Sequence, residues 1–307
     1  MLYRWALLPA HRLPAPVVVV GNLIVGGAGK TPLILHLAMA LRARGRRPGI
    51  VSRGYRGGAR GVMVVTADSD PAVVGDEPVL LARHAGCPVY VGRDRVAAGM
   101  ALLRDHPDCD VILADDGLQH YRLARDVEIA VFDERGVMNG WQLPAGPLRE
   151  PLSRLATVDA IVLNHGDERH EPLPPLDAAV MSAPTFRMRL VGRRFHRLDD
   201  ARTVCSAAEL VGQRLHAVAG IGDPQRFFSH LRAMDIDFVA HPFADHHRYR
   251  REELIYDGDA ILTTEKDAVK LSRLEVPLPI WVLPVTAEVA PDLAAFIVER
   301  LNGRSPA

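Results

Sequence analysis

Lysine is nearly absent from this chain. The 307 residues hold three, Lys30, Lys266 and Lys270, against thirty-four arginines. Where almost every cation is Arg, a retained Lys marks a place suited to a compact ammonium on a flexible stem. Cysteine is scarce as well. Cys87, Cys109 and Cys205 are widely spaced with no C-x-x-C pair, which excludes a disulfide frame or zinc cluster and suits a reducing compartment. No apolar run approaches the ~18 residues of a membrane span. The first apolar patch is short and broken by Pro9, so no secretory signal is expected. Net charge is zero with His neutral; no global field draws nucleic acid, and none is expected as a partner. What is present is 48% hydrophobic residues over a length that suits two domains or one large one. There is no internal repeat or low-complexity tract.

One stretch organises the rest. Residues 16–32 read PVVVVGNLIVGGAGKTP. Four β-branched residues in a row predict a strand buried on both faces. Gly21, Gly26, Gly27 and Gly29 follow, then Lys30, Thr31 and an apolar helical pattern over 32–44 that Gly45 ends. Strand, glycine loop, Lys-Thr and helix form a phosphate-binding loop. Glycines let amides converge on one anion, and the helix N-terminus adds positive charge. Lys30 is expected to reach the β- and γ-phosphates, and the Thr31 hydroxyl to bind Mg²⁺. The pattern departs from the full motif at Ile24, which stands where a sixth-preceding Gly belongs. The plain alternative is a glycine-rich strand–helix turn.

Further strands are predicted at 49–52, 89–91, 111–114, 128–132 and 160–164, with helices at 78–85 and 94–105. The strand at 49–52 runs into Arg53-Gly54-Tyr55-Arg56, a loop at a strand's C-terminal end, where open α/β sheets bind ligands. Its arginines are either solvated or hold a substrate phosphate. Asp76 and Glu77 precede a helix: either they cap it, or one is a general base. The strand at 111–114 ends in Asp115-Asp116, as a Mg²⁺-nucleotide site requires, and Gln119 and His120 add polar groups at the same rim. Strands and helices alternating to about 182 predict a doubly wound α/β domain.

Composition then shifts. Residues 171–175 are proline-rich, and 185–198 alternate apolar and basic residues around Gly192, which predicts a two-stranded ribbon and hinge. Strands at 215–219, 238–240, 260–263 and 280–283 predict a second α/β unit, closed by a helix at 291–302. Its Gly220-Ile221-Gly222 reads by default as a tight strand–helix turn. In Asp245-His246-His247, adjacent histidines point to different sides, so one orienting His is the better reading than a metal pair. At the start of the chain, Leu2, Tyr3, Trp5, Leu7 and Leu8 sit beside Arg4, His11 and Arg12. Residues 1–16 form either a membrane-surface anchor or a segment docked on its own domain.

Taken in order, GNLIVGGAGKTP, SRGY, GDEP, ADDGLQH, LPAGPLREPLSRL, FADHH and TEKDAVK resemble the tetraacyldisaccharide 4′-kinases, the lipid A 4′-kinases of Gram-negative bacteria. The resemblance runs from about residue 14 to about 300. It implies transfer of the γ-phosphoryl group of ATP, with Mg²⁺, to the 4′-hydroxyl of a tetraacylated glucosamine disaccharide 1-phosphate. It implies a peripheral enzyme, expected as a monomer, on the cytoplasmic face of the inner membrane. It also implies two α/β/α domains joined by a β-ribbon: 1–182 with the phosphate loop, 183–204 as hinge, and 205–307 closing over the site. Residues Gly26, Gly27, Ala28, Gly29, Lys30, Thr31 and Pro32 fall on the nucleotide loop. Asp76 falls on the base and His246 on its assistant. Asp115, Asp116 and Glu150 fall on the metal side with Thr31. Arg53, Tyr55, Gln119 and His120 fall on the substrate side. Two places depart from the family: Ala28 stands where relatives often carry a hydroxyl, and the N-terminal segment is short. A nucleotide-switch ATPase is the rival reading, but Val25 replaces the signature lysine of that class. A GTPase would need a base reader, and the lysine of Thr264-Glu265-Lys266-Asp267 is one place out of register for it.

Overall fold

In a computed structural model of the chain, which describes residues 9–58, 60–165 and 183–303, the valine run is β1 (Val17–Gly21), buried throughout. The glycine loop feeds α1 (Lys30–Ala43), whose Leu33, Ile34, Leu37, Ala38 and Leu41 form one buried stripe. There follow β2 (Pro48–Ser52), β3 (Met63–Val65), α2 (Pro71–Val74), α3 (Asp76–His84), β4 (Val89–Val91), α4 (Arg95–Asp105) and β5 (Val111–Asp115). Then come β6 (Val127–Asp133), β7 (Ala160–Asn164) and β8 (Thr185–Val191). Among the described residues, β5, β6 and β7 are joined by turns and a 3₁₀ segment, Leu152–Thr157, rather than by α-helices. The alternation expected to run to about 182 therefore lapses after β5.

The chain continues through β9 (Arg194–Arg197), β10 (Val204–Ser206), β11 (Leu215–Ala219), α5 (Pro224–Ala233), β12 (Val239–Pro242), β13 (Ala260–Thr264), α6 (Glu265–Leu271) and β14 (Ile280–Leu283). It ends with β15 (Thr286–Ala290) and α7 (Leu293–Asn302). Two compact units result, one of residues 1–190 with 287–307 and one of 191–286. The first holds a nine-stranded sheet, β15-β8-β7-β6-β1-β5-β2-β4-β3, and the second a six-stranded sheet, β10-β9-β14-β13-β11-β12. The first is parallel from β8 through to β4. Each unit has its own apolar core, around Leu102, Ile112 and Phe132 in the first and around Phe195, Phe228 and Leu262 in the second.

Two expectations are corrected here. Residues 185–198 do not form a hairpin: β8 pairs with β7 of the large sheet, and β9 pairs with β10 and β14 of the small one. The chain crosses between units within β8 and again within β15, and those two strands are neighbours in the sheet. The helix expected to close the second domain is α7 of the first unit, where it meets α1 and β6. Residues 9–15 are docked on the first unit. Leu13 is buried, the Arg12 guanidinium lies 2.8 Å from Asp126, and the His11 amide donates to the Arg122 carbonyl. Residues 1–8 and the proline-rich 171–175 lie outside the described residues.

Candidate active site

Register brings the polar strand ends together. Val20 of β1 stands opposite Asp115 of β5, and Val51 of β2 opposite Ala114. On the other side Gly21 faces Ala130 of β6, and Asp133 faces Asn164 of β7. Asn22, Ser52, Asp115, Asp133 and Asn164 thus finish five adjacent strands at one edge, the C-terminal edge where open parallel sheets take ligands. All five are buried.

The loop above β1 is shaped for an anion. Gly29, with φ +88°, is the N-cap of α1 and offers no side-chain cap, and the first turn carries no acid. The first amides of the helix are left for a ligand. Pro32 falls in that first turn, where a missing N–H costs nothing. Lys30 Nζ donates to Asn22 Oδ1 at 3.1 Å and lies 3.5 Å from Asp116.

The carboxylates differ in state. Asp115 is 2% exposed. One oxygen accepts from the Ser52 hydroxyl at 2.9 Å, and the other has no partner among the described residues. Burial, with the negative charges of Glu77 and Asp116, pushes its pKa up to about 7 against the pull of Lys30 and Ser52. Burial also works against the charge on Asp116, but Lys30, Arg149 and Arg95 outweigh it and hold its pKa below the usual range. Arg149 Nη1 reaches both Asp116 oxygens, at 2.9 and 3.0 Å. Asp116 has φ +46°, a left-handed backbone that Asp tolerates better than most residues. Glu150, expected beside a metal, accepts from Gln119 at 2.9 Å and from the Tyr121 hydroxyl. Gln119 also donates to the Asn22 carbonyl, which ties this rim to the phosphate loop.

The loop after β2 forms a wall with the start of α3. Gly75, with φ +94°, leaves a built Cβ only 3.0 Å from the Tyr55 carbonyl, so a side chain there would push the two loops apart. Asp76 is the first residue of α3 and is 5% exposed; Glu77 follows it in the first turn. Both therefore lie within the helix rather than ahead of it. Tyr55 is exposed, with the Arg56 guanidinium 5.8 Å from its ring. Arg53 is felt at Arg95, a residue only 5% exposed. Arg95 donates only to the carbonyls of Arg93 and Asp116, at 3.2 and 3.4 Å, and its Nε has no partner among the described residues. Burial and Arg53 together lower its pKa. Asp115, Asp116 and Asp94 act in the other direction, but among the described residues none forms an ion pair with it, and a buried guanidinium in that state, near a second one, can take an anion. His120 is pushed down to about 4 by burial and by Arg95, so its ring is neutral at pH 7.

His246 belongs to the second unit. It has φ +60°, and its Nε2 lies 3.5 Å from Asp245 and 3.4 Å from Lys266 Nζ. His247 instead meets Glu253 at 3.0 Å. Lys266 also donates to Asp245, at 3.2 Å. Asp267 is structural: wholly buried, it accepts from the Gly220 amide and from the hydroxyls of Tyr249 and Thr264. Among the described residues, no three His, Cys, Asp or Glu side chains form a ready-made metal cage.

Sequence reasoning missed Asn22, Ser52, Arg95, Arg135, Arg149 and Asn164. One signal was available for several: a polar residue directly after an apolar strand, the same signal that picked out Asp115.

Lys30 at the mouth of a glycine loop, with two carboxylates on the tip of the neighbouring strand, defines a P-loop phosphotransferase. The chain belongs to the tetraacyldisaccharide-1-P 4′-kinase family, whose model matches residues 1–302. It is 54% identical to a tetraacyldisaccharide 4′-kinase of Azoarcus sp., with 100% of this chain and 88% of the relative aligned. It is 53% identical to that of Dechloromonas aromatica, with 100% and 90% aligned. A crystal structure of LpxK from Aquifex aeolicus, described as in complex with ATP, superposes with a TM-score of 0.81 at 30% identity, covering 97% of this chain and 92% of that one.

Proposed function

We propose that this kinase transfers the γ-phosphoryl group of ATP to the 4′-hydroxyl of a tetraacylated glucosamine disaccharide 1-phosphate. The observation that carries the reading is Lys30, held by Asn22 at 3.1 Å and lying 3.5 Å from Asp116 beneath an uncapped helix N-terminus. The solved relative described with ATP supports the choice of nucleotide.

Lys30 and the amides of residues 26–31 bind the β- and γ-phosphates and absorb charge as the phosphoryl group moves. The donor set fits Mg²⁺. The unpartnered buried oxygen of Asp115 and the carboxylate of Asp116 crowd negative charge together, and Mg²⁺ is held by one or two carboxylates plus phosphate oxygens rather than by a protein cage. Thr31, Asp115 and Asp116 would hold it, with Glu150 behind them orienting Gln119. When bound, the ion supplies neutralisation of phosphate charge. Asp76 accepts the proton of the attacking hydroxyl. Arg53 and Arg95 bind the substrate's phosphate, while Tyr55, neutral His120 and Gln119 border the sugar. Four acyl chains keep the substrate in a bilayer. No helix among the described residues is long and apolar enough to cross one. Peripheral attachment on the ATP-containing face is the arrangement that fits.

The test is ATP consumption with and without detergent-dispersed tetraacyldisaccharide 1-phosphate. Turnover should require the lipid, and the lipid should gain one phosphate. Lys30→Ala should abolish transfer. Asp76→Asn should lower kcat by roughly 10²–10⁴, with KM for ATP unchanged. Lipid-independent hydrolysis would point instead to a nucleotide switch, and wild-type turnover in Asp76→Asn would remove the base.

A further inference from the structure

The phosphate loop is held from outside. Three consecutive carbonyls each accept from a side chain: Gly26 from Asn22 Nδ2, Gly27 from Arg135 Nη2 and Ala28 from Asn164 Nδ2, all at 3.1 Å. The donors are rooted at the ends of β1, β6 and β7, which lie side by side. In a trans peptide the C=O of one residue and the N–H of the next point in opposite directions. Drawing the carbonyls of 26, 27 and 28 outward therefore turns the amides of 27, 28 and 29 inward, which makes an anion-binding nest.

Each tie is itself fixed. The Arg135 Nε lies 3.0 Å from both Asp133 oxygens, and Nη2 donates to Oδ2 at 2.8 Å, with Asp133 1% exposed. Asn22 is fully buried and also accepts from Lys30, so one amide sets both a loop carbonyl and the ammonium. Asn164 is fully buried, and its Oδ1 has no partner among the described residues. An unpaired buried acceptor is a net cost to folding. Packing alone would favour an apolar residue here; it is the donor half of the amide that the position uses. A Cβ on Gly29 would lie 2.4 Å from that Nδ2, so residue 29 has no room for a side chain while the tie is made.

We infer that Asn22, Arg135 and Asn164 are positioning residues that hold the loop in its phosphate-binding shape before nucleotide arrives. Affinity for the triphosphate, rather than for the nucleoside, then depends on them. The inference rests on the nucleotide-site reading above.

The experiment measures Kd for ATP and for AMP by calorimetry on wild type, Asn22→Ala, Arg135→Ala and Asn164→Ala, together with thermal melts and KM for the lipid. Each lost tie should weaken ATP binding by about tenfold, the scale of one net hydrogen bond. AMP should lose less than about threefold, because it lacks the β- and γ-phosphates that the loop amides and Lys30 cradle. KM for the lipid should not move. Arg135→Ala and Asn164→Ala combined should cost less than the product of the two, since both act on one loop. Arg135 sits at the rim with its side chain 25% exposed, and Arg135→Lys, which keeps a cation beside buried Asp133 but loses the guanidinium fork, takes its place in the series if the alanine variant does not fold. Equal losses for ATP and AMP, or wild-type ATP affinity in Arg135→Ala with an intact melt, would overturn the inference. A wild type that binds ATP no better than AMP would instead overturn the nucleotide site itself.

Discussion

Arg154 takes a full charge into the first unit with 2% of its surface exposed. It is matched there. Its guanidinium meets Glu128 and Thr157, donates to the Tyr121 hydroxyl at 3.0 Å and lies 3.7 Å from Glu150. Burial works against its charge, yet Glu128 and Tyr121 more than compensate and raise its pKa. Arg154→Met would fill the stem's volume but leave Glu128 and Glu150 short of a partner. Breaking a buried pair from one side typically costs ~3–5 kcal/mol. Arg125, still 2.9 Å from Glu128, keeps the expected loss toward the lower end. Urea unfolding checks this; a loss under about 1 kcal/mol, as at an exposed pair, would mean that water reaches both carboxylates. Residues of this kind were illegible beforehand. Among thirty-four arginines nothing in the spacing marks Arg95 or Arg154 as buried. Lys30 stood out because lysine is rare, and Asp115 because it tips an apolar strand. Asn22 and Asn164 follow apolar strands as Asp115 does, but a neutral amide does not by itself suggest phosphate or metal chemistry, so their part emerged only once the strand ends were in register.

At the level of elements, the edge strand β12 shows how a pair of histidines can make a strand acid-sensitive. His216 Nε2 lies 3.2 Å from the Asp257 carbonyl, which can only accept, so that nitrogen carries the proton. Its Nδ1 therefore accepts from His241 Nε2, at 3.0 Å. Tyr256 stacks on both rings, with centroids 4.5 and 4.2 Å away. Burial, then the neighbouring His216, lowers the pKa of His241 from its ordinary 6.5. The sign follows from linkage. The unfolded chain binds the proton first, so the stability this residue contributes is present above 6.5 and is lost as pH falls below it. The second unit should lose stability between about pH 7.5 and about pH 5, and His241→Phe, which keeps the stack, should shrink that loss. Melts at the two pH values decide it; an unchanged loss in the variant would place the acid sensitivity elsewhere. Elements were more legible than residues. The buried parallel strands announced themselves as short apolar runs, and α1 by its stripe. The pairing of β8 did not, because alternation over 185–198 reports a strand with two faces and says nothing of which strand lies beside it.

For the whole molecule, two units with separate cores imply two unfolding events. Leu37→Ala should destabilise the first by ~2–5 kcal/mol and Phe228→Ala the second by ~3–5 kcal/mol. In scanning calorimetry each variant should shift one transition, and ATP should raise only the transition that Leu37→Ala lowers. One transition that moves with every change would show that the units melt together. The α/β class and the presence of a second unit were readable from composition and strand spacing. The return of α7 to the first unit was not, because a helix carries its apolar stripe whichever partner covers it.

That return has a consequence during synthesis. The second unit is one uninterrupted segment, complete once residue 286 has left the ribosome. The first is interrupted and lacks β15 and α7 until residues 286–302 emerge. Although domains usually mature in the order of translation, here the part made first finishes last, and a nascent chain that has emerged only as far as residue 286 would carry a finished downstream unit behind an unfinished upstream one.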